Sequence, residues 1–442
     1  MRIRKAIFLL LAVPSLALGR PDPEIQKFND WKFGMFLCWG VCSVAGMDCS
    51  WPIMRPNPKR RPLVTEAFYA SLPGQFNPTQ FNPDAVVQLA KDAGQRYIVF
   101  TAKHHDGFCM FDSMYTDYKV TKTPYGKDIA KELADACHRG NMPLGFYYSV
   151  PDMHHPDYRD TTKPVSENYH GEPWRPDWPI FLNYVDLQVS ELLTHYGPVA
   201  VMWFDAVAPL EEFDGRRYLR LIHDLQPDAL VNNRLGVGGD FDTPEQHLPK
   251  GVPTRSIAGD NLKVINNSVA GVAPKSEDFR PWETCMTTNG NWFYNRDDHN
   301  FKSVKQLIQT LADVASKGGN FLLAVGPGAD GTIQPELVER LYAMGAWLKA
   351  NGDSIYGTTY GPLQNLSFGR STRNGKTVYL HVFDWPADGK LQLDGLNAGV
   401  VSVHLLAGNQ PLTFHKHGEQ LQIEIPSQAP DENDSVLAVE TR

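Results

Sequence analysis

The side chains that could do chemistry in this sequence stand directly after short apolar runs. Lys103-His-His-Asp-Gly107 follows one run, Trp203-Phe-Asp205 closes a second and Asn232-Asn-Arg234 closes a third. Because a parallel barrel gathers the carboxyl ends of its strands on one rim, we expect these imidazoles, the carboxylate and the guanidinium to converge. Aromatic faces beside hydrogen-bonding groups suit a sugar ring, whose two faces differ in polarity.

Three carboxylates are candidates for catalysis. Asp205 ends an apolar run, which favours a dry setting at the barrel mouth, where it could be a nucleophile toward an anomeric carbon, a general base or a metal ligand. Glu245 lies in a long loop that could swing over the site, and Glu283 stands beside Trp282 at the start of a strand-like run. The residues alone do not choose between the two glutamates.

No metal site or other cofactor is expected. Adjacent strand residues point to opposite faces, so His104 and His105 should rarely share one ion. Hydrogen bonding to substrate hydroxyls is the favoured role for this pair, and a buried core histidine is the alternative. Cys38, Cys42 and Cys49 lack the close paired spacing of a zinc site, which leaves buried thiols or one disulfide.

The elements that must position these residues alternate between apolar strands and amphipathic helices. This pattern over residues 20–350 predicts a (β/α)8-like barrel of the TIM type. Six strands are clear, Trp282–Met286 is a candidate seventh, and no eighth can be identified. A doubly wound open sheet is the rival, but it would want a glycine fingerprint after the first strand. Residues 353–442 alternate with a period of two and predict a C-terminal antiparallel β-sandwich.

Composition narrows the class of protein and its location. The 442 residues are 42% hydrophobic and 21% charged, with a formal net charge of −8, which argues against a nucleic-acid partner. A basic start, an apolar run and small residues before Gly19 predict a signal peptide over residues 1–19. We therefore expect a secreted or periplasmic protein without a membrane span. The sandwich could carry an interface between copies.

Several blocks of this sequence resemble the exported α-L-fucosidases, family 29 of the glycoside hydrolases. The resemblance runs across the whole chain after the signal peptide, and the Lys-His-His-Asp-Gly-Phe and Trp-Phe-Asp blocks, in this order, are its most specific part. The matching blocks are Trp31–Phe36, Phe76–Pro78, Lys91–Gly94, Lys103–Phe108, Gly145–Ser149, Trp203–Asp205, Asn232–Arg234, Trp282–Glu283 and Asn351–Gly357.

The resemblance implies a retaining exo-glycosidase that acts on fucosylated glycans, with a barrel and a C-terminal β-sandwich. It implies that Asp205 is the nucleophile. It matches Glu245 to the acid/base, which lies on a variable loop in this family, with Glu283 as the second choice. The residues matched to those that hold the sugar ring are His104, His105, Tyr148, Trp203 and Arg234.

Two positions depart from the family pattern. Cys38 stands where the family usually has a sugar-binding His, and Ser50-Trp51 stands where it has Glu-Trp, so Trp51 matches and the acid is missing. Our hypothesis is that catalysis survives and specificity has shifted, toward an α-L-galactoside or a substituted L-fucoside. A non-catalytic carbohydrate-binding barrel and a metal-dependent hydrolase built on the histidine pair are the remaining alternatives.

Overall fold

The computed structural model describes residues 23–53, 64–159, 177–205, 213–254, 278–364, 366–396 and 398–442. The predicted signal peptide and its cleavage site lie outside these residues. Among the helices that the model describes, none is long and apolar enough to cross a membrane.

A curled parallel sheet forms the centre of the larger, N-terminal part of the chain. Its strands are β1 (Phe33–Leu37), β2 (Ile98–Lys103), β3 (Leu144–Ser149), β4 (Val201–Asp205), β5 (Leu230–Val231), β6 (Glu283–Met286) and β7 (Asn320–Val325). The described helices are α1 (Pro23–Trp31), α2 (Glu66–Ala70), α3 (Pro83–Asp92), α4 (Ile129–Arg139), α5 (Trp178–His195), α6 (Gly215–Leu225), α7 (Val304–Ser316) and α8 (Pro335–Asn351). Nearly every strand residue is buried, as expected of a sheet that is covered on both faces.

Capping residues in the sequence begin several of these helices. Asn82 accepts from the backbone of α3 and Asp128 from that of α4, in each case three residues ahead. Ser303 and Gln306 form a reciprocal capping box at the start of α7. Such caps satisfy backbone N–H groups that have no partner within the helix.

The strand order is β5-β4-β3-β2-β1-β7-β6, which leaves a gap between β5 and β6. An irregular segment, residues 241–246, fills this gap. It makes parallel bridges from Phe241 to Asn232 on one side, and from Asp242 to Trp282 and Glu245 to Cys285 on the other. The TIM-like prediction is therefore confirmed, and this segment occupies the place of the strand that the sequence pattern did not reveal.

The C-terminal part consists of antiparallel sheets, as predicted. One sheet contains β8 (Thr359–Tyr360), β9 (Gly369–Asn374), β10 (Thr377–Val382), β12 (Val400–Leu405) and β15 (Ser435–Thr441); the other contains β11 (Lys390–Leu393), β13 (Phe414–His417) and β14 (Gln420–Glu424). They enclose an apolar core of their own, which includes Leu380, Leu391 and Ile423. Bidentate pairing of Arg370 on β9 with Asp313 on α7 ties this part to the barrel.

Close packing of α8 on α3 generates a prediction about stability. A Cβ atom on Gly345 would overlap the carbonyl oxygen of Asp92. We expect Gly345→Ala to lower the free energy of unfolding by roughly 1–3 kcal/mol, because two packed helices must separate. Denaturant unfolding measures this, with Gly74→Ala as the control because a Cβ there meets no atom within 4 Å. Equal stability of the two variants would contradict the packing argument.

Candidate active site

Asp205 ends β4 and lies at the centre of the rim. Tyr147 donates its hydroxyl to Oδ2 of Asp205 at 2.8 Å, and Arg234 donates Nη1–H to Oδ1 at 2.7 Å. Nε2 of His105 lies 3.7 Å from Oδ2. The carboxylate side chain is 18% exposed, so it is held by polar partners while one side stays open.

The pKa of Asp205 follows from two opposed causes. Burial is the largest single cause and raises it, but the positive charge of Arg234, the neighbouring His105 and the hydrogen bonds from Arg234 and Tyr147 together outweigh burial. The net result is a pKa of about 2. Asp205 is therefore an ionised carboxylate at any mildly acidic or neutral pH, as a nucleophile must be.

The main chain beside Asp205 is held by a side chain rather than by a neighbouring strand. β5 pairs with β4 only at Val201 and Met202. Beyond that point, the Asn232 amide donates to the carbonyl of Phe204 and accepts from its N–H, both at 2.9 Å. Asn232 thus continues the ladder up to the residue that precedes Asp205.

Arg234 joins two carboxylates. Its Nη1 donates to Asp205, and its Nη2 donates to Oε2 of Glu245 at 2.8 Å. Its guanidinium also lies over the Trp203 ring, with Cζ 4.8 Å from the centroid, and its Nε donates to Thr243. This arrangement holds Asp205 and Glu245 on neighbouring nitrogens of one rigid group, which is compatible with the 5–5.5 Å or so that separates a retaining pair.

Glu245 is placed by the segment that fills the gap in the sheet. Gln246 donates its N–H to the carbonyl of Cys285, and Cys285 donates its N–H to the carbonyl of Pro244. The backbone on both sides of Glu245 is thus bonded to β6, which holds this part of the predicted loop against the sheet. The Glu245 side chain itself is 44% exposed and can reach a bound molecule.

Glu283, the second candidate acid, is in a different environment. It is fully buried, and it accepts from the Tyr97 hydroxyl at 2.5 Å and from Nε1 of Trp203 at 2.9 Å. Burial raises the pKa of Glu283 to about 7, against the lowering by these hydrogen bonds and by Arg234. It does not line the pocket, so it supports Trp203 from inside the barrel.

The two histidines lie side by side, contrary to the expectation of opposite faces. β2 ends at Lys103, so strand alternation does not apply to His104 and His105, and their ring centroids are 4.2 Å apart. Both are buried, and each is hydrogen-bonded to a serine hydroxyl through Nδ1. The distance is 2.7 Å from His104 to Ser50 and 2.5 Å from His105 to Ser149.

Tyr148 is not part of this pocket, which corrects its predicted sugar-binding role. It faces the helix layer, where its hydroxyl donates to Gln188 on α5 at 2.8 Å. Tyr147 faces the pocket instead, because it pairs in register with Trp203 while Ser149 pairs with Asp205. Tyr147 and Ser149 are two residues apart on β3 and therefore share one face of the strand. The sequence alone does not show that this face points into the pocket, because that depends on the register between β3 and β4.

A pocket that is open to solvent on one side lies beside Asp205, and aromatic and polar side chains line it together. Of the predicted residues, it includes Cys38, Trp51, His104, Trp203, Asp205, Arg234 and Glu245. His105 lies beside the pocket: its Nε2 is 3.7 Å from Oδ2 of Asp205, and its ring packs edge-on against Trp51. The lining residues that the sequence prediction did not assign to this pocket are Phe36, Thr101, Tyr147, Cys285, Trp292 and Phe293.

The cysteines are buried free thiols, one of the two predicted alternatives. Burial raises the pKa of Cys38 and of Cys285 well above the usual value, so both present neutral thiols to the pocket. Within the described ranges, no group of three or more His, Cys, Asp or Glu side chains could hold a metal ion.

Comparisons with known proteins identify one family. Residues 18–353 match the sequence profile described as α-L-fucosidase, and residues 364–439 match that of the α-L-fucosidase C-terminal domain. Human plasma α-L-fucosidase is 28% identical over 418 residues, which cover 88% of this chain and 82% of that protein.

Solved structures are similar over nearly the whole chain. α-L-Fucosidase isoenzyme 1 from Paenibacillus thiaminolyticus has a TM-score of 0.83 at 35% identity, covering 95% of this chain and 99% of that one. A family 29 α-L-fucosidase from Bacteroides thetaiotaomicron, trapped as a covalent intermediate with 2-fluoro-fucosyl fluoride, has a TM-score of 0.79 at 27% identity, with coverage of 96% and 97%. With two profiles that together span most of its length, this chain belongs to the α-L-fucosidase family, family 29 of the glycoside hydrolases.

Proposed function

We propose that this protein is an exported retaining exo-glycosidase that removes terminal α-L-fucosyl residues from glycans through a covalent intermediate on Asp205. The observation that carries the proposal is the Arg234 guanidinium, which holds an ionised Asp205 and a more exposed Glu245 at the mouth of a pocket lined by aromatic side chains. Export is supported by the sequence of residues 1–19.

In the first step, an oxygen of Asp205 attacks the anomeric carbon while protonated Glu245 gives its proton to the glycosidic oxygen. The bond to the aglycone breaks, and a glycosyl ester forms on Asp205. Ester formation removes the charge of Asp205, which leaves Arg234 to pair with Glu245 alone. In the second step, the Glu245 carboxylate takes a proton from water, the water attacks the anomeric carbon, and Asp205 is released.

A second candidate is the same mechanism on a related L-sugar. The observation that favours it is the pocket wall around Cys38, where a neutral thiol replaces the histidine of the family pattern. An α-L-galactoside differs from an α-L-fucoside only by a hydroxyl on carbon 6. Ser50, at the other departing position, is already bonded to His104.

The first prediction from this proposal is that the mature protein hydrolyses an aryl α-L-fucoside and that Asp205→Ala loses several orders of magnitude in kcat. A 2-fluoro-fucosyl fluoride should label the wild-type chain at Asp205, as peptide mass spectrometry would detect. The aryl α-L-galactoside is assayed in parallel. Faster cleavage of the galactoside would select the second candidate, and labelling without turnover of either sugar would contradict both.

The second prediction separates the two glutamates. Glu245→Ala should lose about 10²–10⁴-fold on a fucoside with a poor leaving group, because general acid catalysis is gone. It should lose much less on an aryl fucoside with a good leaving group, and azide should restore turnover by giving fucosyl azide. Glu283→Gln serves as the matched control. Its buried site gives azide no access to the anomeric carbon, so azide rescue of Glu283→Gln instead of Glu245→Ala would reverse the assignment.

The third prediction concerns the pH dependence of kcat/KM, which reports the ionisation of the free enzyme. With a pKa of about 2, Asp205 is ionised over the whole working range. Arg234→Leu removes the largest cause of that low pKa, so burial dominates, the pKa of Asp205 rises, and the acidic limb moves to higher pH. Arg234→Lys keeps a positive charge and should move the limb less. An acidic limb at the same pH in both variants would contradict this account.

A further inference from the structure

His104 and His105 each have one ring nitrogen committed to the protein and one that is open. Nδ1 of His104 contacts Ser50, and Nδ1 of His105 contacts Ser149. Within the described part of the chain, neither Nε2 atom has a protein partner at hydrogen-bond distance. The nearest charged atom to Nε2 of His105 is Oδ2 of Asp205, at 3.7 Å. The position of the proton on each neutral ring therefore decides whether the open Nε2 is a hydrogen-bond donor or an acceptor for a ligand.

For His105, the ring nitrogen that carries the proton follows from a carbonyl group bonded to Ser149. The Ser149 hydroxyl donates to the carbonyl oxygen of Pro151 at 2.8 Å, and a carbonyl can only accept. Ser149 has one proton, so it must accept from the imidazole. Neutral His105 then carries its proton on Nδ1, and its open Nε2 is an acceptor.

For His104 the proton is fixed in the opposite sense. Oγ of Ser50 accepts from the backbone N–H of Asp106 at 2.9 Å, and it lies 2.7 Å from Nδ1 of His104. The competing acceptor for the Ser50 proton is Sγ of Cys49, at 3.8 Å, and sulfur is a weak acceptor. Ser50 therefore donates to Nδ1, and His104 carries its own proton on the open Nε2.

Burial favours the neutral form of both imidazoles at neutral pH. Burial lowers the pKa of His104 well below its usual value, and the neighbouring His105 lowers it further. Burial also lowers the pKa of His105, although Asp205 and Glu245 oppose the change. The two rings thus hold one proton each, on different nitrogens.

We propose that Ser50 and Ser149 are positioning residues that fix opposite tautomers on His104 and His105, so that the pocket offers one donor and one acceptor nitrogen side by side. The effect of these tautomers on a bound sugar rests on the proposed function. The tautomers themselves are a property of the free protein, so they can be measured without substrate and independently of activity.

The arrangement has a consequence for the substrate. The acceptor Nε2 of His105 and the carboxylate of Asp205 repel each other unless a donor lies between them, so a sugar oxygen at that point must be a free hydroxyl. The donor Nε2 of His104 instead serves an oxygen that accepts. A hydroxyl, an ether or an ester oxygen fits there, which defines an L-pyranoside that tolerates substitution on the side of His104 but not beside Asp205.

The test is the ¹⁵N spectrum of the imidazoles in the mature protein labelled with ¹⁵N-histidine, because protonated and unprotonated ring nitrogens resonate far apart. Spectra of His104→Gln and His105→Gln assign the two rings among the 14 histidines of the chain. We expect a protonated Nε2 for His104 and a protonated Nδ1 for His105. Any other pair of tautomers in the wild-type protein overturns the proposal, whether or not a fucoside is cleaved.

Serine variants then test the cause. Ser50→Gly removes the hydroxyl and suits the left-handed backbone there, where φ is 58°. It should change the tautomer of His104 alone, and Ser149→Ala should change that of His105 alone. Ser43→Ala is the matched control, since the hydroxyl of this buried serine donates to the carbonyl of Gly40 and, among the described residues, contacts neither imidazole. Unchanged tautomers in both variants would show that the serines do not fix them.

Discussion

The guanidinium of Arg234 is the interaction on which the site depends. Its positive charge opposes the rise in the pKa of Asp205 that burial causes, and its second terminal nitrogen holds Glu245. Removing Arg234 would leave the charge of Asp205 without compensation in a largely desolvated setting, which is costly. The stacking of Arg234 on Trp203, and the bond from Trp203 to Glu283, extend this dependence into the barrel core.

The barrel closes with an irregular segment at the place where chemistry is needed. A regular strand between β5 and β6 would alternate its side chains inward and outward with a fixed period. Residues 241–246 make only isolated bridges, which frees Thr243 and Glu245 to bind Arg234 while the backbone stays pinned to β6. Because the segment is irregular, it lacks the apolar pattern of a buried strand. The same irregular backbone places Glu245, the second carboxylate, beside Arg234.

Much of the architecture could be predicted from the sequence, because buried parallel strands and capped helices have distinct periodicities. Asp205, Arg234 and Glu245 were found by their positions after strands and by family resemblance. The predictions that were wrong depended on register or on an exact strand end: Tyr148 was preferred to Tyr147, and His104 and His105 were expected on opposite faces. A shift of one residue reverses which face a strand side chain occupies, and no local pattern reports it.

Cys38 and Ser50 stand differently toward the pocket, because Cys38 lines it and Ser50 lies behind His104. Burial raises the pKa of the Cys38 thiol, so this side chain presents a neutral, weakly hydrogen-bonding group to the pocket. Ser50 is too short to extend past His104, and its hydroxyl is already bonded to that ring. Under the proposed tautomers, the open nitrogens of His104 and His105 select the polar groups of a bound sugar. The aromatic walls of the pocket would add selection by size, because they pack against apolar ring faces.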